Sequence, residues 1–466
     1  MSDVVEQYTI RPIPDSARHG SARGLLAFWF TVNASAYTIG LGTIAALFQL
    51  GLWPTIAAIV AGAAVGGAFM AAHSAQGPRL GVPQLVQSRA QFGFYGSLLP
   101  NAAMLVLFLS TLVGADFTAG ATVAGFWHIS LAQAVMVVCF VTWLLAVLGY
   151  RILHGASRAI AVAVLIMGCV LLARLAQHLP AEPAVFHVST WLSCFSTMAV
   201  AQVAWAPYVA DYSRYLPAKT SPRSAFWHTY LGSVTGAAMF ASIGAMVSMI
   251  ILRTRAVGPI GPIGYLSALL PGAAWLVVIV LLLGTVAAAT VNLYRSVLTG
   301  LAIGSRSGGA APAPLVRGIG AGVIMAVAGF LATGISGPLI DVTNLTAPLI
   351  YLVVPWSAIN LVDYYLVRRG RYDVRAMFLS GGRNRDVNWR TILAFLAGVA
   401  AEVPFADSVY PSFEGPVATA WNGLDISWLV GFIVAGALYY LATPRSPGGT
   451  PVASGTSRGG RSRRSG

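Results

Sequence analysis

The sequence predicts an all-α polytopic membrane protein of about twelve spans, and three observations predict it. Hydrophobic residues make up 57% of the 466 and charged residues 9%, with a mean hydropathy of +0.75. Soluble domains carry ~25% charge, so a soluble enzyme, a disordered chain and a fibrous chain are excluded. Apolar runs long enough to cross a bilayer, which takes ~20 residues, fall near 24–49, 53–74, 96–123, 129–150, 157–177, 190–212, 228–252, 271–303, 315–334, 338–367, 391–406 and 424–443. The third observation is where the net charge of +14 sits.

With the N-terminus placed in the cytoplasm, the inner segments hold every Lys and Arg except Arg174, Arg253, Arg255 and Arg295. That distribution follows the positive-inside rule. The even span count then puts both termini inside, in a cell (plasma or inner) membrane. Residues 1–23 read as a cytoplasmic tail, 24–443 as the transmembrane domain, and the Gly/Ser/Pro/Arg-rich 444–466 as a disordered basic tail. The positive charge is therefore a topology signal and implies no nucleic-acid partner. The partners it implies are the lipid bilayer and a small molecule, with no obligate protein partner. The polar N-terminus, with Pro12 and Pro14, shows no cleavable signal. Cys139, Cys169 and Cys194 lie in apolar runs without metal-site spacing and read as small core residues.

Polar groups inside a bilayer are costly, so the few present are the candidate functional residues. The sixth span ends in VAWAPYVADYSRYLP, 203–217. Pro207 removes a backbone donor and disfavours helix at Ala206, and a break at membrane depth must line a cavity or be buried in protein. Gln202 and Trp205 lie beside it, one with donors and an acceptor, the other with a flat face for stacking. Asp211 and Arg214, three apart, can pair on one helix face. In the first span Asn33 and Ser35 act either as interhelical glue or as cavity groups beside a backbone loosened near Gly40 and Gly42. Asp116, in mid third span, must be paired, hydrated or protonated, and Glu402 in the eleventh is similar but nearer the outer face. The eighth span offers Thr285, Thr290 and Asn292 among alanines that also permit close helix packing. Asp363, Tyr364, Tyr365, Arg368 and Arg369 read as an interfacial anchor. The histidines scatter near helix ends, and no nucleophile triad, phosphate loop or metal cluster is present in the sequence. An enzyme is not expected.

The runs VAWAPYVADYSRYLP, IYLVVPWSAINLVDYYLVRRG (350–370) and RYDVRAMF…NWR (371–390) resemble the nucleobase:cation symporter-1 family, its purine/cytosine permease branch in particular. The resemblance runs from about Arg23 to Leu441. It implies two inverted five-helix repeats plus two C-terminal helices, with substrate held near the midplane between the broken first and sixth spans. It implies a secondary active importer of cytosine or a purine, with substrate contacts at Asn33, Ser35, Thr111, Asp116, Gln202, Trp205 and Asn292. No cofactor is implied beyond a coupling ion, H+ or Na+. Sodium coupling in the family uses first-span carbonyls and adjacent hydroxyls of the eighth span. Here the stretch before Asn292 reads Val286-Ala287-Ala288-Ala289-Thr290, without a Ser-Thr pair. This favours protons, with Asp116 as carrier; Thr285 and Thr290 are the residues that a sodium site would use. Allantoin, hydantoin, uracil, thiamine or pyridoxine are alternative substrates on the same fold. A channel or receptor is a further alternative.

Overall fold

In hydrocarbon every backbone N–H and C=O must find a partner within the protein, and a helix supplies them all locally. Each apolar run accordingly becomes helix. A computed structural model describes residues 8–45, 48–148, 150–179, 185–254, 261–305, 314–334, 340–381, 386–408 and 413–444. Glu182, Arg255, Arg306, Arg383, Arg385 and the tail from Arg445 lie outside the described residues.

The first span is two helices, α1 (Ala22–Asn33) and α2 (Ala36–Ala45), bent by 59°. The second is α3 (Leu52–Ser74), followed by the buried connectors α4 (Gly77–Leu80) and α5 (Gln84–Phe92). Spans three to five are α6 (Leu98–Trp127), α7 (Leu131–Leu148) and α8 (Tyr150–Ala176). The sixth divides into α9 (Val188–Val203) and α10 (Ala206–Ser213), and the seventh is α11 (Pro222–Thr254). After the short α12 (Gly261–Ala268) come α13 (Ala274–Gly304), α14 (Pro314–Gly334) and α15 (Ile340–Val362), the last running into a π turn at Asp363–Val367. The eleventh is α16 (Trp389–Glu402). A two-stranded ribbon, β1 (Asp407–Ser408) with β2 (Phe413–Glu414), and α17 (Pro416–Ala420) lead to the twelfth, α18 (Ser427–Ala442). Every expected span thus contains a helix. Among the described residues seven helices are long and apolar enough to cross a membrane alone, and the bent first pair passes the same test jointly.

The helices group as an inverted repeat requires. α1, α3, α9 and α11 pack together, as do α6, α7, α13 and α14, while α15, α16 and α18 form a third set. Broken helices open each repeat. The first break falls at Ala34–Ser35, not near Gly40 and Gly42 as the sequence suggested. Those glycines lie inside α2, and a Cβ on Gly42 would collide with the Ala241 backbone of α11, so this glycine serves close packing. The second break falls at Ala204–Trp205, just before Pro207; Ala206, where the sequence suggested helix is disfavoured, is instead the first residue of α10. The proline sits in the first turn of α10, where its missing N–H costs nothing.

Two faces are distinguishable. Ile13 donates to the Gly81 carbonyl, His19 to the Tyr215 carbonyl and Arg390 to the Ala442 carbonyl, so both ends of the described chain lie on one face. Residues 8–21 are therefore packed against the domain, with Ile10 and Ile13 buried. Of the cysteines, Cys194 is buried as expected, whereas Cys169 lies exposed on the outer surface of α8.

Candidate functional site

A cavity of about 240 Å³ starts between the two breaks and opens to the face opposite the termini. Its inner end is formed by Ser35, Thr111, Trp205, Tyr208 and Asn292, and its outer end by Phe48, Asp407, Asp425 and Trp428. Most of the wall is apolar, as expected of a site that binds by excluding water and orients its ligand with few polar groups.

Local sequence explains each group at the inner end. Ser35 caps α2: its hydroxyl meets the Thr38 backbone N–H at 3.3 Å and the Thr38 hydroxyl at 3.2 Å. Trp205 stands at the second break, edge-on to Trp29 with ring centroids 5.8 Å apart and tilted 5.1 Å from Tyr208. Asn292 accepts hydrogen bonds at Oδ1 from the Tyr208 hydroxyl at 2.7 Å and the Thr111 hydroxyl at 3.1 Å. Its Nδ2 donates to the Ala288 carbonyl at 3.2 Å.

The other expected residues stand away from the cavity wall. Gln202 Nε2 donates to Asn33 Oδ1 at 3.1 Å, Asn33 Nδ2 donates to the Ser233 hydroxyl at 3.1 Å, and that hydroxyl donates to Gln202 Oε1 at 2.5 Å. This closed triangle ties both broken spans to α11. Thr285 accepts the Ala36 backbone N–H at 3.0 Å and so satisfies a donor freed by the first break. It can do so because a Cβ at Gly284 would overlap the Ala34 carbonyl; glycine lets α13 lie against the break. Thr290 donates to the Val286 carbonyl of its own helix. Asp116 is wholly buried, one residue past the cavity-lining Ala115, and among the described residues its carboxylate meets no N–H or hydroxyl donor. Its ionisable neighbour is the Cys139 thiol on α7.

Beneath the inner end, α10 is buried along its whole length and closes the route to the terminus-bearing face. Here Asp211 pairs with Arg295 of α13, and its other oxygen accepts the Gln84 backbone N–H at 2.6 Å. Arg214, three residues on, donates to the Asp211 carbonyl at 3.3 Å and to the Tyr215 and Tyr294 hydroxyls at 3.3 and 3.2 Å. Arg295 also donates to the Pro207 carbonyl, and its guanidinium lies 5.6 Å from the Tyr208 ring centre. Asp363 exceeds the anchoring expected of it, for it accepts from Gln91, Tyr372, Tyr439 and Arg368 and ties four segments together. Glu402 is buried against Gly431 of α18, its oxygens without a hydrogen-bond partner among the described residues.

At the outer end Asp425 caps α18 through the Ser427 backbone N–H at 2.8 Å, and accepts the Tyr351 hydroxyl at 3.2 Å and the Asp407 backbone N–H at 3.1 Å. Burial, reinforced by the neighbouring Glu414 and Asp425 carboxylates, holds the Asp407 carboxyl above its ordinary range. Among the described residues no group of three or more His, Cys, Asp or Glu is placed to hold a metal.

Sequence reasoning missed Tyr208, which directly follows Pro207, and Tyr37, which lines the cavity two residues past Ser35. Their signal was adjacency to a break. It also left Arg295 as a charge inside a span without a role.

Residues 12–431 match the family described as "Permease for cytosine/purines, uracil, thiamine, allantoin". The chain belongs to that permease family. A Bacillus subtilis (strain 168) protein that carries the provisional name purine-cytosine permease YxlA is 34% identical over 95% of this chain and 96% of its own. The purine-cytosine permease fcyB of Emericella nidulans is 24% identical over 94% and 88%. Among solved structures, Mhp1, a nucleobase-cation-symport-1 family transporter closed on bromovinylhydantoin, matches with a TM-score of 0.71 and 19% identity, covering 94% of both chains. Its inward-facing form matches at 0.67, covering 94% of this chain and 93% of that one. The permease is thus a multi-pass membrane transport protein of the nucleobase symporter type with the inverted-repeat fold, and not an enzyme.

Proposed function

We propose that the permease imports cytosine or a purine by cation symport, with both termini cytoplasmic, and that the described conformation faces outward. The observation that carries this reading is the inner end of the cavity. A stacking indole, Trp205, and an amide, Asn292, meet there at the junction of two broken helices. A planar heterocycle stacks on Trp205 while its edge meets Asn292 and Ser35. Such a site rejects shapes that leave its buried polar groups unpaired. Relatives named for purine and cytosine support these bases over the family's other substrates.

The proton is the favoured coupling ion. A cation at the first break would need oxygen ligands from α13, and there the Thr285 hydroxyl is engaged with Ala36 and the helix lies against the Ala34 carbonyl. Asp116 is the carrier this reading assigns, because it is a wholly buried carboxylate one residue from the cavity wall with the Cys139 thiol as its neighbour. Asp116→Asn then abolishes pH-driven accumulation. Accumulation that survives the change makes Asp116 structural.

Direct binding tests the site. Cytosine or adenine quenches tryptophan emission of the purified permease, and Trp205→Phe removes most of the quench. Saturable binding with the quench intact in Trp205→Phe would place the base elsewhere.

A further inference from the structure

The hydrogen bonds of Asn292 fix the sense of its amide as well as its place. A side-chain amide has two N–H donors and one oxygen with two lone pairs. The Ala288 carbonyl can only accept, so the atom 3.2 Å from it is the nitrogen. The oxygen therefore faces the Tyr208 and Thr111 hydroxyls. Tyr208 fills one lone pair, Thr111 is within reach of the other, and one N–H is taken. What remains on this cavity-lining residue is a single donor.

Tyr208 is the stronger of the two holds. The Thr111 hydroxyl is also within reach of the Leu107 and Phe108 carbonyls, at 2.9 and 3.0 Å, and shares its one proton among three acceptors. Tyr208 has Asn292 as its acceptor at 2.7 Å. Its ring is fixed between Phe108, 4.5 Å away, and Trp205, 5.1 Å away, so the hydroxyl cannot swing aside.

We propose that Tyr208 is a positioning residue that fixes the Asn292 amide as a donor, so that the site selects ligands presenting a hydrogen-bond acceptor at that point: a carbonyl oxygen or an unprotonated ring nitrogen. A ligand with N–H there sets donor against donor and leaves both unpaired in a dry pocket. Stacking on Trp205 is indifferent to the ring edge, so discrimination between edges falls to Asn292. The proposal rests on the nucleobase reading of the cavity.

Deaza analogues of adenine and cytosine test it, since each exchanges one ring-nitrogen acceptor for C–H at constant shape. Inhibition constants are read against radiolabelled base uptake by the full-length permease in proteoliposomes. The wild type prefers the parent base over at least one deaza analogue by about tenfold, the value of one hydrogen bond. Asn292→Ala erases that preference. Tyr208→Phe, which keeps the ring and frees the amide to turn, lowers the ratio toward one; a purely structural role scales all ligands alike and leaves the ratio in place. Thr111→Val lowers it less, and carries the test should Tyr208→Phe not fold. An unchanged ratio in both hydroxyl variants, beside its loss in Asn292→Ala, overturns the positioning role. Concentrative uptake of adenine, which has no carbonyl, with no discrimination against any of its deaza analogues overturns the donor assignment and leaves the proposed function standing. Uptake of neither base removes both.

Discussion

Gln202 and Asn33 show what a buried amide does beside a helix break. Each is in an apolar run and each needs partners, which their sequence context makes plain. Sequence does not say which partners. The structure joins them to one another and to Ser233, so Gln202 holds the two broken spans in register. Gln202→Ala leaves Asn33 Oδ1 and Ser233 short of partners and costs about 1–3 kcal/mol, read as a lower melting temperature in detergent together with impaired uptake. Wild-type stability and kinetics in that variant contradict the tie. Asp407 gives a residue-scale pH effect. Its carboxyl is held above the ordinary range, so the neutral form suits the fold. Its stabilisation is complete below the unfolded value of 3.8 and is lost as pH rises through the folded value. Melting measured from about pH 4 upward falls less steeply in Asp407→Asn than in wild type.

At the scale of elements, the two breaks were unequally legible. Pro207 marks the second, because a proline cannot continue a helix across its own missing donor. The first contains no proline, and it forms because Ser35 caps α2 and Thr285 takes up the Ala36 N–H. That second partner lies 249 residues away, beyond any local pattern. The partners of Asp211 were half legible for the same reason. Spacing of three offers Arg214, while tertiary packing brings Arg295 of α13 to the carboxylate, which no local pattern shows. Removing one partner of a buried pair strands the other charge at about 3–5 kcal/mol. Arg295→Met therefore destabilises strongly, and Arg295→Met with Asp211→Leu recovers much of the loss. A double variant as unstable as the sum of the single ones contradicts this.

For the whole molecule, composition and Arg placement made the membrane class and span count readable, because lipid imposes one solution on every spanning segment. The direction of the cavity was not readable, for it depends on how two groups of helices lean on each other. One side is closed by α10 on α13 and the other is open between α2, α9 and α18. Transport requires the reverse arrangement as well, and the Asp211–Arg295 contact lies where the inner route must part. Residues 444–466 hold no apolar run long enough to cross a bilayer, so their truncation is expected to leave insertion and uptake in place; loss of uptake with normal insertion contradicts that. The proposed cation-driven import of a nucleobase is measured by uptake of radiolabelled cytosine and adenine into proteoliposomes under proton and sodium gradients imposed separately. Saturable accumulation above equilibrium under the proton gradient alone is the predicted result. Failure of the folded permease to concentrate either base under either gradient contradicts it.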